Sequence, residues 1–142
     1  VVKDALASNK NLQYIIDIHR DSRRKKDTTA TIKGKSYARV AFVVGKKSKN
    51  FEENYKIASE LHKLMEKKYP GLSTGVFSKG SPGDNGVYNQ DLTDRALLLE
   101  FGGVDNNLEE LQRAANAAAD VFSEMYWDAE KVNAASGETK KQ

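Results

Sequence analysis

The chain has 142 residues, of which 39% are hydrophobic and 30% charged, with a formal net charge of +3. This length suits one domain around one core, and the absence of cysteine excludes a disulfide framework and thiolate metal ligands. No apolar stretch approaches the ~20 residues of a membrane span and no signal-peptide pattern is present, while the mild positive charge favours an anionic surface, cell wall or nucleic acid, without choosing between them.

Residues 1–9 read as the end of a helix, opening in mid-pattern on Val1-Val2-Lys3-Asp4-Ala5-Leu6 and stopped by Ser8-Asn9-Lys10-Asn11. The expectation is a piece of a longer protein. Tyr14 to Ile18 is a short apolar run between polar residues, which predicts a buried strand. Arg23-Arg24-Lys25-Lys26 follows as a solvated basic loop. Thr28 to Ile32 and Tyr37 to Gly45 are β-branched and apolar, separated by Lys33-Gly34-Lys35, and predict a hairpin in which Gly34 takes positive φ. Val40 to Val44 is apolar throughout, as in a central strand covered on both faces.

Asn50, with Glu53 three positions later, predicts a capped helix start. Ile57, Ala58, Leu61, Leu64 and Met65 form its buried stripe, and Tyr69-Pro70-Gly71 stops it. Ser73 to Phe77 reads as an edge strand, and residues 78–91 as a long loop rich in glycine and turn formers, a common place for binding. Ala96 to Phe101 is a second buried strand. The last helix is predicted to start at Asn107, with Glu110 in the capping-box position, and to bury Leu108, Leu111, Ala115, Ala118, Phe122 and Met125. Residues 1–127 make up the domain, and 128–142 a polar tail expected to fray. The fold class is α/β: a single mixed, mostly parallel twisted sheet with helices on its faces.

Two of the apolar runs end in residues able to do metal or acid–base chemistry. Ile15-Ile16-Asp17-Ile18 leads into His19, and Leu97-Leu98-Leu99 into Glu100. Sites in open α/β sheets form beyond the carboxyl ends of the strands, so this pair points to a metal-dependent hydrolase. A neutral imidazole at a strand end suits zinc, and Asp17 lies two residues back on the same strand face as its partner. The alternative for His19 is a partly buried histidine satisfied by a carboxylate. Glu100 is costly after three leucines unless it is paired, metal-bound or at a strand end. Partial burial raises the pKa of such a carboxyl and suits it to proton transfer, the alternative being an ion pair with Arg95 or Arg20. Gly102-Gly103 allows a sharp turn or close approach to a ligand, and His62 reads as a helix-boundary residue. His19-Arg20-Asp21 imitates a protein-kinase catalytic loop but has Lys26 where that motif needs asparagine, and no nucleophile elbow surrounds Ser22.

Read together, Tyr14-Ile-Ile-Asp-Ile-His-Arg-Asp-Ser22, Tyr37-Ala-Arg-Val-Ala-Phe-Val-Val-Gly45, Leu64-Met-Glu-Lys-Lys-Tyr-Pro-Gly-Leu72, Gly86-Val-Tyr-Asn-Gln-Asp-Leu92 and Leu97-Leu-Leu-Glu-Phe-Gly-Gly-Val-Asp-Asn106 resemble the stage II sporulation protein P family. The similarity runs in order from Asn11 to Met125. It implies an amidase-like fold and a zinc-dependent N-acetylmuramoyl-L-alanine amidase, a peptidoglycan hydrolase acting in spore engulfment. The implied partners are peptidoglycan, a lytic transglycosylase (sporulation protein D) and a membrane protein (sporulation protein M), with no nucleic acid. The implied location is extracytoplasmic, at the septal and engulfing membrane, with an anchor in a segment outside this chain.

Such amidases hold zinc with His, Glu and His and use a second Glu in catalysis. By motif, His19 corresponds to the later histidine ligand and Glu100 to the catalytic glutamate, while Arg20, Asn89 and Gln90 are the expected substrate contacts. The earlier His and Glu ligands have no counterpart, because His62 stands outside any ligand motif. The resemblance therefore implies the carboxyl-terminal part of a catalytic domain, with weak zinc binding in isolation. A second reading is a non-catalytic peptidoglycan-binding module that uses the loop at 78–91. A third, a nucleic-acid-binding domain using Arg23 to Lys26, lacks the interleaved aromatic residues that would support it.

Overall fold

A computed structural model describes residues 1–138. The elements are α1 (Val2–Ser8), β1 (Ile15–Asp21), α2 (Lys25–Thr28), β2 (Thr29–Ile32), β3 (Lys35–Ala38), β4 (Val40–Gly45), α3 (Phe51–Lys68), β5 (Ser73–Lys79), β6 (Ala96–Gly103) and α4 (Leu108–Glu138). The basic run thus holds one helical turn, α2, rather than loop alone.

The main sheet has the order β1-β6-β4-β5. The outer pairs β1–β6 and β4–β5 are parallel, and the central pair β4–β6 is antiparallel. A separate antiparallel ladder joins β2 to β3. The mixed α/β class stands, but the expectation of a mostly parallel sheet is corrected at its centre. Parallel neighbours need a crossover element. Helix α3 provides one between β4 and β5, whereas residues 80–95 contain no helix and bring β6 back in the opposite direction.

The predicted hairpin forms around Lys33 (φ 48°) and Gly34 (φ 74°), a pair of left-handed residues suited to a two-residue turn. Its second strand is not continuous. At Arg39 the chain leaves the β2–β3 ladder and enters the main sheet. Its N–H donates to the Thr28 carbonyl at 2.8 Å, and its Nε donates to the Gly71 carbonyl at 2.9 Å.

Alternation divides each central strand between two faces. Val40, Phe42 and Val44 of β4 and Leu97, Leu99 and Phe101 of β6 pack with Ala58, Leu61 and Met65 of α3 and with Ala114, Ala117 and Val121 of α4. Both long helices therefore cover the same face, which corrects the expectation of helices on both. Every residue of β4 is nevertheless buried, as its apolar run predicts. The opposite face carries His19, Glu100, Ala41 and Phe77.

The cap expected at Asn50 is absent: this residue makes no side-chain cap bond to α3, and its amide donates instead to the Gln90 carbonyl at 3.0 Å. The capping box of α4 does form. The Glu110 N–H donates to Asn107 Oδ1 at 2.9 Å, and the Asn107 N–H to Glu110 Oε2 at 3.1 Å.

The buried stripe of α4 is rotated from the expected one. Ala114, Ala117 and Val121 are buried, whereas Leu108 is 69% exposed and Ala115 lines an open apolar groove with Ile16, Ile18, Phe122 and Trp127. The rotation is set by Glu110, which is itself buried and receives Lys25 Nζ at 2.8 Å, Ser36 Oγ at 2.7 Å and Asn106 Nδ2 at 3.0 Å. Beyond Trp127 the helix continues to Glu138. This stretch contains alanines and charged helix formers and no proline. The remainder of the expected tail, 139–142, lies outside the described residues.

Burial pushes the Glu110 carboxyl up, but Lys25, Asn106, Ser36 and the Asn107 N–H outweigh it and hold the pKa at about 2. A carboxylate with a lowered folded-state pKa stabilises the fold above its unfolded value, and this stability is lost as pH falls. Denaturation midpoints are therefore expected to decline between pH ~4.5 and ~2. In Glu110→Gln the decline should flatten, on a lower baseline. An unchanged slope would show that Glu110 does not set the acid limit.

Candidate functional site

Strand register brings the two singled-out residues together. His19 on β1 lies directly beside Glu100 on β6, and Glu100 lies beside Ala41 on β4, which in turn pairs with Gly75 on β5. One row across the sheet thus reads imidazole, carboxylate, methyl, hydrogen. The small residues beyond Glu100 leave a trough of about 450 Å³, lined by Arg20, Arg23, Ala41, Phe77, Lys79 and Glu100 among others. Residues after β1 cross above it, and the Arg23 guanidinium lies over the Phe77 ring at 5.9 Å from the centroid.

Gly102 and Gly103 serve this crossing. Gly102 is left-handed (φ 58°), and a Cβ on Gly103 would collide with the Arg23 carbonyl. They make a tight corner where β6 ends.

Glu100 is the unusual group. Its Oε2 is buried without a hydrogen-bond partner. Burial pushes its carboxyl above the ordinary range, while His19 pulls it down, Asp21 pushes it up, and Lys79 and Arg23 pull it down. The net effect is upward. The ion pairs considered from the sequence do not form: Arg95 stacks on Tyr14 at 5.4 Å, and Arg20 donates to the carbonyls of Gly103 and Asn106. A partly buried carboxyl with a raised pKa, open to a trough, is suited to taking a proton and returning it.

His19 Nε2 meets Asp17 Oδ1 at 3.0 Å, and the imidazole is 48% exposed. Asp17 is therefore its partner, as the strand-face argument expects. Among the described residues no three His, Asp or Glu side chains converge to hold a metal ion. One imidazole whose Nε2 already engages a carboxylate is not a zinc site, which needs at least three protein ligands. The donors among the described residues do not by themselves fit the metal. His62 Nδ1 meets Ser73 Oγ at 2.8 Å, as a boundary residue would.

The other expected contacts part company. Arg20 lines the trough, although one of its amino groups pins the β6 corner. Asn89 is exposed and left-handed (φ 59°), on the loop seated at the far end of β4, and does not line the trough. The expectation for Gln90 is corrected. It is fully buried, with Oε1 accepting from the Gly45 N–H at 2.9 Å and Nε2 donating to the Val43 carbonyl at 2.8 Å. Its carbonyl accepts from the amides of Asn50 and Asn54, each at 3.0 Å. Gln90 anchors the loop and has no polar side-chain atom left for a ligand. Sequence reasoning missed Ala41, Arg23, Phe77 and Lys79, whose convergence depends on strand register. The available signal was the alternation Gly75, Phe77, Lys79, which places all three on one face of a strand.

The family model for stage II sporulation protein P matches residues 1–123. No solved structure matches the chain. The family match runs from α1 through the trough to the core turns of α4, and so takes in both His19 and Glu100. On that span of the sequence, the chain belongs to the stage II sporulation protein P family.

Proposed function

We propose that this chain carries the acid–base part of a peptidoglycan amidase site, hydrolysing the amide between N-acetylmuramic acid and L-alanine of the stem peptide. Family membership supports a role in sporulation. The observation that carries the chemical reading is Glu100, a partly buried carboxyl with one unpartnered oxygen at the floor of an open trough. In the proposed reaction Glu100 takes a proton from the attacking water and delivers it to the leaving nitrogen, so that the carboxylate is regenerated each cycle. Asp17 orients the His19 ring beside it. Arg20 borders the same space as a substrate contact.

The resemblance makes zinc the cofactor, with His19 as one ligand. Zinc supplies carbonyl polarisation and an acidified water when bound, but His19 needs further donors to hold it. Elemental analysis of this chain should therefore find well under one zinc per molecule, falling further in His19→Ala. A full equivalent that survives His19→Ala would remove His19 from the site.

The proposal extends to an extracytoplasmic protein at the engulfing membrane that works with sporulation proteins D and M. The incomplete donor set favours one second reading, a peptidoglycan-binding module without catalysis. Incubation of a zinc-loaded form of the protein with purified sacculi separates the two. New L-alanine amino termini in the supernatant mark hydrolysis, whereas sedimentation with sacculi and no such product marks binding alone.

A further inference from the structure

Helix α1 and the apolar groove between β1 and α4 each lack a covering partner. An isolated helix needs about 12–15 residues to hold in water, yet α1 has 7 and none of them is buried. Its residues nevertheless divide by side. Val2 and Leu6, four apart and so one above the other, are half-buried, while Lys3, Asp4, Ala5, Ala7 and Ser8 are exposed. The groove has a volume of about 450 Å³, and Ile16, Ile18, Ala119, Phe122 and Trp127 are among the residues that line it. Ile16 is 41% exposed, Ile18 68% and Trp127 60%, on the side of the sheet that holds the core. An open apolar patch of this kind marks a surface that something covers.

We infer that α1 is a lid for this groove, closing over Ile16 and Ile18 and laying Val2 and Leu6 between β1 and α4. The chain enters at the right place. Tyr14, the residue before β1, packs edge-on against Phe122 at 5.1 Å and lies 6.3 Å from Tyr126, so it already sits at one end of the groove. The Leu12 N–H donates to the Asn9 carbonyl at 3.2 Å, which turns the chain back between α1 and β1. That reversal sets α1 antiparallel to β1. The helix is ~10 Å long, which matches about three strand residues, the span from Ile16 to Ile18. The segment from Asn9 to Tyr14 reaches up to ~20 Å when extended, enough to carry the helix across. Closure takes four aliphatic side chains out of water, against the ordering of one short linker. It also covers the strand that carries His19, so the lid and the candidate site share an element.

The chain has no cysteine and one tryptophan, so a cross-link and an emission signal each have a single source. Two double variants of the full chain, Leu6→Cys/Ala119→Cys and Asp4→Cys/Ala119→Cys, are incubated with oxidised glutathione at low protein concentration. Loss of free thiol gives the rate of closure, and gel mobility separates a bond within one chain from a bond between two. Asp4 faces away from Leu6 on the same helix, so the pair distinguishes docking of one side from mere nearness. The Leu6 variant should close about tenfold faster. Independently, Leu6→Asp should shift the Trp127 emission to the red, because Trp127 packs on Tyr126 at the Tyr14 end of the groove and loses its cover. Leu6→Ala should give a smaller shift of the same sign, and circular dichroism verifies the fold of each variant. Equal closure rates, a bond that joins two chains, or an emission unmoved by Leu6→Asp overturns the inference.

Discussion

In a form of the protein that holds zinc, replacing Glu100 by glutamine is expected to lower the rate of amide hydrolysis by a factor of about 10²–10⁴, the range for loss of a positioned general base and acid. The substitution keeps the shape and removes the proton chemistry. Substrate binding should largely persist, because the shape of the trough is unchanged. Burial raises the Glu100 pKa, so a base that must start ionised loses activity as pH falls through a value above the ordinary carboxylate range. The acid limb of the rate profile should accordingly lie high and disappear in Glu100→Gln.

Stability provides an independent check. A carboxyl whose folded pKa is raised weakens the fold once it ionises. Glu100→Gln at neutral pH should therefore unfold at the same or a higher urea concentration than the parent. Retained turnover would end the assignment, and a lowered midpoint would make the carboxylate a structural group instead.

The second large effect is expected at Asn106, a residue with no part in the chemistry. Its Oδ1 accepts from the Gly103 N–H and from Thr28 Oγ1, both at 2.8 Å, and its Nδ2 donates to Thr29 Oγ1 at 2.8 Å and to Glu110 Oε2 at 3.0 Å. One buried amide thus ties the end of β6, the α2–β2 junction and the start of α4. Asn106→Ala strands several buried polar groups at once, each costing about 1–3 kcal/mol when unsatisfied. Relaxation and water entry recover part of this, so a net loss of about 2–4 kcal/mol is expected. Asn106→Asp keeps the acceptors but sets a second carboxylate against Glu110, and its deficit should shrink at low pH. Urea unfolding followed by circular dichroism measures both. A loss under 1 kcal/mol for the alanine variant would show that the corner holds without Asn106.

The two residues that meet at the head of the trough were more legible in the sequence than their surroundings. His19 and Glu100 stand out because each closes a short apolar run, and a polar group in that position is costly without a purpose. Their pairing is a matter of register between distant strands, which local pattern does not encode. The same limit hid Phe77 and Lys79. Gln90 misled because a polar residue in a glycine-rich loop resembles a surface contact, whereas here its amide replaces the backbone partners that Gly45 and Val43 lack at that point. The rotation of α4 was illegible for a related reason. Helical periodicity counts apolar residues, and the position that fixes this helix is a buried glutamate satisfied by Lys25, Ser36 and Asn106.

The strand order also dictates when the molecule can assemble. β6, the last strand made, lies between β1 and β4, so Ile15 waits for Ala96 and Val40 for Phe101. Before residue 96 is available, the hairpin and the β4–α3–β5 unit have partners, while β1 has none in the main sheet. Sequence-distant pairing of this kind slows folding and leaves an apolar strand unpaired in the meantime. During synthesis β1 therefore has no partner in the main sheet until β6 is made, and a chain interrupted ahead of β6 should behave as two unconnected pieces rather than as a weakened version of the whole.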